Sequence, residues 1–167
     1  MNEKKIFVTV GTQLPFTRIF DYVHEWSKST EIPHRIYAQI AETDIKHPFH
    51  ETRKYLSSDE FNAWFSEADC IVAHAGMGTI INSSIFAKPL IIVPRQEKLG
   101  EHRNNHQLDT ALKFKGLSNV KLANSESEFC TCLNDFCSFG GFQCDSSSDS
   151  ISGELGEKIN DWIKKTI

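Results

Sequence analysis

The 167-residue chain has 40% hydrophobic and 24% charged residues, a formal net charge of −4 and a pI near 6.0. These are the proportions of one ordinary globular domain spanning 1–167. A chain of this length buries roughly 68–70% of its unfolded surface, so its core needs no disulfides, and the acidic balance excludes broad electrostatic binding to nucleic acid. Apolar runs such as Leu90–Val93, between Pro89 and Pro94, fall far short of the ~20 residues that cross a bilayer. Met1–Lys5 runs straight into a β-like stretch without the apolar centre of a signal peptide, so the expected location is the cytoplasm.

Ile6–Val10 is a β-branched run ended by Gly11, and Pro15 opens a segment with Phe16, Ile19, Phe20, Val23 and Trp26 at helical spacing. Arg35 to Ile40 alternates as a second strand, and a polar stretch follows from Ala41 to Lys54. Ser57-x-x-Glu60 is a capping box ahead of a short helix carrying Phe61, Trp64, Phe65 and Ala68. Cys70–Ala73 reads as a buried strand, followed by His74-Ala75-Gly76-Met77-Gly78-Thr79 and a helix over Ile80 to Ala87. Lys88-Pro89 breaks that helix. Leu90 to Val93 is the next strand, Gly100 to Gln107 a polar loop, and Leu108 to Lys115 a helix with Gly116 as its C-cap. Val120 to Leu122 is a short strand, Ser125-x-x-Glu128 caps a cysteine-bearing helix ended by Gly140-Gly141, and Asp145 to Asp149 reads as a loop. Leu155, Ile159, Trp162 and Ile163 mark a last amphipathic helix. Alternating strands and helices predict an α/β fold, a Rossmann-like parallel sheet with helices on both faces, whose ligand sits beyond the carboxyl ends of the strands.

Cys130, Cys132, Cys137 and Cys144 lie near the C-terminal end and Cys70 apart from them. Their spacing does not match the paired Cys-x-x-Cys of a structural zinc site, and no metal is expected. Phe129, Cys132, Leu133, Phe136 and Cys137 instead fall on one helix face, where thiols pack as small hydrophobes.

Two turns carry the chemistry. Gly11-Thr12-Gln13 and Gly76-Met77-Gly78-Thr79 each follow a predicted strand and precede a predicted helix. Glycine lets the backbone approach a ligand, and the helix start offers unpaired N–H groups with a partial positive charge, a combination suited to a diphosphate. The chain has neither the Gly-x-Gly-x-x-Gly turn of dinucleotide enzymes nor a P-loop, and no Asp-x-Asp pair to present a divalent ion. A flavodoxin- or receiver-like domain is disfavoured, because no acidic pocket or Ser/Thr-rich phosphate loop follows the first strand.

His74–Thr79, then Lys88–Arg95, then Glu101-His102-Arg103-Asn104-Asn105-His106-Gln107, in that order and preceded by Val8–Phe16, resemble the C-terminal, donor-binding half of family 28 glycosyltransferases. Most similar are the stand-alone subunits of two-part transferases, both the bacterial exopolysaccharide and capsule subunits and the eukaryotic subunit of the N-acetylglucosamine transferase for dolichol-linked glycans. The resemblance covers nearly the whole chain and is weakest over Cys130–Ser152. It implies half of a GT-B fold and a UDP-sugar at the strand ends. The donor-binding candidates are Gly11, Thr12, Gln13, His74, Gly76, Met77, Gly78, Thr79, Asn82, Arg95, Glu101, Asn105, His106 and Gln107. Asn82 stands where many members carry a ribose-binding glutamate; an amide still donates and accepts there, without charge. His74 and Arg95 each have a plainer reading, as a hydrogen-bonded structural histidine and a solvated surface charge.

No residue is marked by position as the general base that a glycosyl acceptor needs, so the catalytic residue is unknown. The family's acceptor-binding half is absent from this sequence. The resemblance therefore implies a membrane-anchored acceptor-binding subunit that brings this protein to the inner membrane face and a lipid-linked acceptor to the site. Phe16, Phe20 and the last helix are candidates for contacting it, with core packing the alternative. A second reading is a noncatalytic nucleotide-binding or scaffolding partner of a glycosyltransferase.

Overall fold

A computed structural model of the protein describes residues 2–138 and 148–166. Among these residues the strands are β1 (Lys4–Thr9), β2 (His34–Gln39), β3 (Glu51–Arg53), β4 (Cys70–Ala73), β5 (Leu90–Ile92) and β6 (Val120–Leu122). They form one sheet in the order β3-β2-β1-β4-β5-β6, with every pairing parallel. The helices are α1 (Thr17–Ser29), α2 (Ser58–Glu67), α3 (Met77–Ile85), α4 (His106–Phe114), α5 (Glu126–Ser138) and α6 (Ser148–Thr166), with a 3₁₀ turn at Glu97–Leu99. The expected α/β architecture is the observed one.

Because helices cover both faces, the central strands are buried on both sides and read as continuous apolar runs: every residue of β4 and β5 is buried. Ile6, Val8, Val72 and Ile91 face one layer, built from Ile19, Phe20, Val23 and Trp26 of α1 and Phe129, Leu133 and Phe136 of α5. Phe7, Ile71, Leu90 and Ile92 face the other, against α2, α3, α4 and α6. There Phe7 meets Phe61, Trp64 and Phe65 edge-on, with ring centroids 5.4, 5.6 and 6.3 Å apart, the geometry aromatic quadrupoles favour.

Phe16 and Phe20 belong to this core, at 1% and 0% exposure. They are therefore not surface contacts for a partner. Their helical spacing is that of a packed face, and Phe16 is the N-cap of α1.

Local chemistry explains most boundaries. Ser57 accepts from the Glu60 amide at 3.3 Å while Glu60 accepts from the Ser57 amide at 2.8 Å, completing the expected capping box. Ser125 likewise accepts from the Glu128 amide, though the Glu128 carboxylate reaches back to Asn124.

Other elements differ from expectation. α3 starts at Met77 and α4 at His106, earlier than Ile80 and Leu108. β3 adds a short edge strand within the polar stretch. Lys115, right-handed at φ −58°, closes α4, and Gly116 is not in the left-handed region. Ser148 and Asp149 already belong to α6. Gly140, Gly141, Cys144, Asp145 and the side chains of Trp162 and Ile163 lie outside the described residues. Cys137 packs in the core and Cys132 against it, and both are free thiols.

The order β3-β2-β1-β4-β5-β6 reverses between β1 and β4, and in open parallel sheets such a reversal opens a crevice beyond the carboxyl ends. The register sets Thr9 beside Ala73 and Ala73 beside Ile92. The segments beginning at Val10, His74 and Val93 therefore leave the sheet side by side.

Candidate functional site

The turn after β1 begins with Thr9, whose buried hydroxyl donates to Gln39 Oε1 at 2.6 Å. Gly11 follows at φ +73°, a left-handed conformation that a side chain strains. Beyond it, the carbonyls of Val10, Leu14 and Pro15 accept from the Arg95 guanidinium at 3.1, 2.6 and 2.9 Å. Arg95, 2% exposed, is thus neither a solvated charge nor a free phosphate ligand. It leaves the sheet just after β5 and holds the β1 turn in shape, its guanidinium 4.9 Å from the centre of the Phe16 ring. Burial lowers its pKa to about 10, with Glu101 opposing, so it stays charged at neutral pH. Its Nε has no hydrogen-bond partner.

His74 stands between the two glycine turns. A Cβ on Gly11 would lie 2.9 Å from its Cε1, and one on Gly76 2.6 Å from its Nε2. Both turns therefore need glycine for the same reason: their backbones close on one imidazole. Desolvation, and secondly the Arg95 charge, lower the His74 pKa to about 4, with the Thr9 backbone partly opposing. His74 is neutral through the physiological range and offers a dipole, not a charge. Its Nδ1 is buried without a hydrogen-bond partner.

α3 starts with Gly76 as N-cap, no side-chain cap and no acidic residue in its first turn. The Gly76 carbonyl accepts from Thr79 and Ile80, each at 3.1 Å. The Met77 and Gly78 amides, at the first two helical positions, have no intrahelical acceptor, and the helix dipole adds positive potential there. Gly78 is exposed, with no atom within 4 Å of where a Cβ would stand.

Three clefts surround these turns. The first, about 450 Å³, is lined by Thr9, Gly11, Thr12, Gln39, Leu56, Ser57, Ser58, Phe61, Asn62, Thr79 and Asn82. The second, about 60 Å³ and also reached by Thr12, has Val10, Gln13, Leu14, His74, Arg95, His102 and Gln107 in its wall. The third, about 470 Å³, lies between α3 and α4, against Met77, His106, Asp109, Thr110, Lys113 and Phe114. No carboxylate lines the first two, so an anion entering them meets amides, hydroxyls, a neutral imidazole and the buried guanidinium.

Most of the residues singled out in the sequence are gathered around this crevice, but two besides Arg95 have other work. Glu101 accepts from Arg18 and from the Gln96 amide. Asn105 pairs with Glu97, accepting from its amide at 3.2 Å and donating to its carboxylate at 3.3 Å. Both hold the loop before α4 and line none of the three clefts. The sequence reading in turn omits Gln39, Leu56, Ser57, Ser58, Phe61, Asn62 and His102. Ser57 carries a signal only as a cap and His102 only as part of the Glu101–Gln107 run, and the rest join the site through the strand order.

Residues 5–126 match the glycosyltransferase family 28 C-terminal domain. Over 68 residues the chain is 32% identical to the UDP-N-acetylglucosamine transferase subunit ALG13 of Candida albicans, covering 41% of this chain and 22% of that protein. Over 46 residues it is 35% identical to the subunit of the same name from Debaryomyces hansenii, covering 28% and 22%. The aligned stretches thus span about a fifth of these relatives. In fold, the chain is similar to the kitacinnamycin glycotransferase (TM-score 0.63, 16% identity, 98% of this chain and 43% of that one). It is also similar to Acinetobacter baumannii MurG (0.63, 14%, 91% and 45%) and to a solution structure of ALG13 (0.53, 20%, 80% and 85%). The chain has the architecture of half a GT-B glycosyltransferase.

Proposed function

We propose, starting from the fact that the chain belongs to the C-terminal domain family of the family 28 glycosyltransferases, that it is the donor-binding subunit of an inverting UDP-sugar-dependent transferase. The observation that carries this reading is the convergence of the Gly11 and Gly76 turns on His74, beside an α3 start whose first two amides have no acceptor. A diphosphate held there receives backbone N–H bonds and the helix dipole. The 450 Å³ cleft alongside offers Leu56 and Phe61 as apolar surface for a base and Gln39, Asn62 and Asn82 as amides for base and ribose edges. The sugar then extends toward Gln13, His106 and Gln107.

Breaking the sugar–phosphate bond places negative charge on the departing diphosphate. Donors fixed in advance lower that barrier, and with them no metal is needed to neutralise it. The acceptor site comes from a second, membrane-anchored subunit, which holds this chain at the inner membrane face. Together they extend a lipid-diphosphate-linked saccharide in polysaccharide assembly. That the ALG13 relatives are themselves transferase subunits supports a subunit role for this chain. Asn82, uncharged in the ribose position, favours the rival reading of a noncatalytic nucleotide-binding partner; transfer by the reconstituted pair, lost in His106→Ala or Gln107→Ala, excludes it.

UDP in the presence of EDTA is expected to stabilise the isolated chain. At ten times its Kd the linkage is about 1.4 kcal/mol, or roughly 3–5 °C in Tm. Gly78→Asp removes the response with little change in the unliganded Tm, because its side chain points into open space and places a carboxylate against the phosphates. Absence of any shift at millimolar UDP overturns the reading.

A further inference from the structure

The turn after β1 and the loop after β5 are held by two arginines that each reach from one into the other. Arg95, on the β5 side, grips three carbonyls of the β1 turn. Arg18, in the first turn of α1, reaches the opposite way. Its Nε and Nη2 donate to the two Glu101 carboxylate oxygens, each at 2.7 Å, and Nη2 also donates to the Pro94 carbonyl at 2.8 Å. Glu101 Oε2 accepts the Gln96 amide as well, at 3.0 Å. The Phe16 ring serves both guanidinium groups, 4.9 Å from Arg95 and 5.3 Å from Arg18. The Arg18 and Glu101 side chains are 15% and 13% exposed, so this is a two-pronged, largely desolvated pair and not a surface contact of little consequence.

We infer that Arg18 and Glu101 are positioning residues for the sugar end of the donor. The inference rests on the donor-binding reading above. Glu101 is the fixed point of the loop that leads into α4, where His106 and Gln107 begin the helix, and Gln107 Oε1 is anchored on the Arg95 amide at 3.1 Å. The amides at the start of α3 are held by β4 and Gly76 and do not depend on this loop. The pair therefore governs how the sugar is held, while the α3 start and the β1 turn, whose carbonyls are held by Arg95 and not by Glu101, govern how the diphosphate is held. A planar guanidinium fork matches a carboxylate in a way an ammonium cannot, so the link is expected to be specific to arginine.

The test is calorimetric titration of the folded chain with UDP and, separately, with UDP-N-acetylglucosamine, UDP-glucose, UDP-galactose and UDP-glucuronic acid, taking forward the sugar nucleotide that the unmodified protein binds best. Glu101→Gln is expected to weaken that sugar nucleotide at least tenfold while leaving the Kd for UDP within twofold, and Arg18→Lys to fall between. Should Glu101→Gln fail to fold, the double variant Arg18→Gln/Glu101→Gln, which strands no buried charge, is expected to show the same selective loss. Unchanged sugar-nucleotide affinity, or equal losses for UDP and the sugar nucleotide, overturns the positioning role. An unmodified protein that binds neither overturns the donor-binding reading, and with it this inference.

Discussion

Replacing Arg95 by methionine is expected to destabilise the protein by about 3 kcal/mol, seen as a fall in Tm of roughly 6–12 °C, and to abolish UDP binding at temperatures where the variant is still folded. The side chain is buried and its three carbonyl partners come from a turn that has few other restraints. Methionine fills much of the volume but leaves the buried Val10 carbonyl without its donor, at a cost of about 1–3 kcal/mol, while the partly exposed Leu14 and Pro15 carbonyls exchange theirs for water. The three lost bonds add to this, and loss of the buried charge's own desolvation cost returns part of it. The binding loss has a separate cause, since the Gly11 turn keeps its shape only while those carbonyls are held. Lysine is a poor substitute, because one ammonium cannot span three carbonyls in a planar fork. Thermal melts with and without UDP decide the matter: a variant that melts early yet binds UDP normally contradicts the role given to the turn.

Gly76→Ala is expected to lower UDP affinity at least tenfold through His74 alone. Gly76 sits at φ −88°, ψ 130°, a conformation any residue adopts, so backbone strain plays no part. The new methyl would lie 2.6 Å from His74 Nε2, and the imidazole has Gly11 against it as well. The ring must move, and the movement disturbs both turns. The accompanying destabilisation is about 1–3 kcal/mol, the usual cost of overpacking. Adding His74→Ala relieves the clash, so the double variant is expected to be more stable than additivity of the single changes allows, although it does not regain binding. Chemical denaturation of the four proteins of this cycle measures the coupling, and strict additivity contradicts the packing described.

These two residues also show where sequence reasoning succeeds and stops. Gly11 and Gly76 are visible as strand-ending glycines ahead of helices, and the parallel sheet follows from alternating elements. Why they must be glycine is visible only once β1 and β4 are neighbours and His74 lies between them. The Ser57 capping box and the limits of β4 are local matters and read directly. The start of α3 reads late because Gly76-Met77-Gly78 has poor helix propensity, and tertiary placement overrides it. β3 is hidden because Glu51-Thr52-Arg53 is a short polar edge strand with no apolar alternation to betray it. Arg95 follows a strand and Glu101 lies in the polar loop beyond it, and only the structure gives their roles. One binds carbonyls 80 or more positions away, and the other binds Arg18 at a separation of 83. The far wall of the large cleft, from Leu56 to Asn62, carries only a helix-capping motif, with no sign of a ligand, and enters the site through the order of the strands.

The central claim is that backbone amides after β1 and β4 together grip a diphosphate. Its most direct test is a titration of ¹⁵N-labelled protein with UDP in EDTA, followed amide by amide. The largest shifts are expected at Thr12, Met77 and Gly78, with smaller ones across Leu56 to Asn62. Shifts confined to other parts of the molecule, or a spectrum unchanged at millimolar UDP, would contradict it.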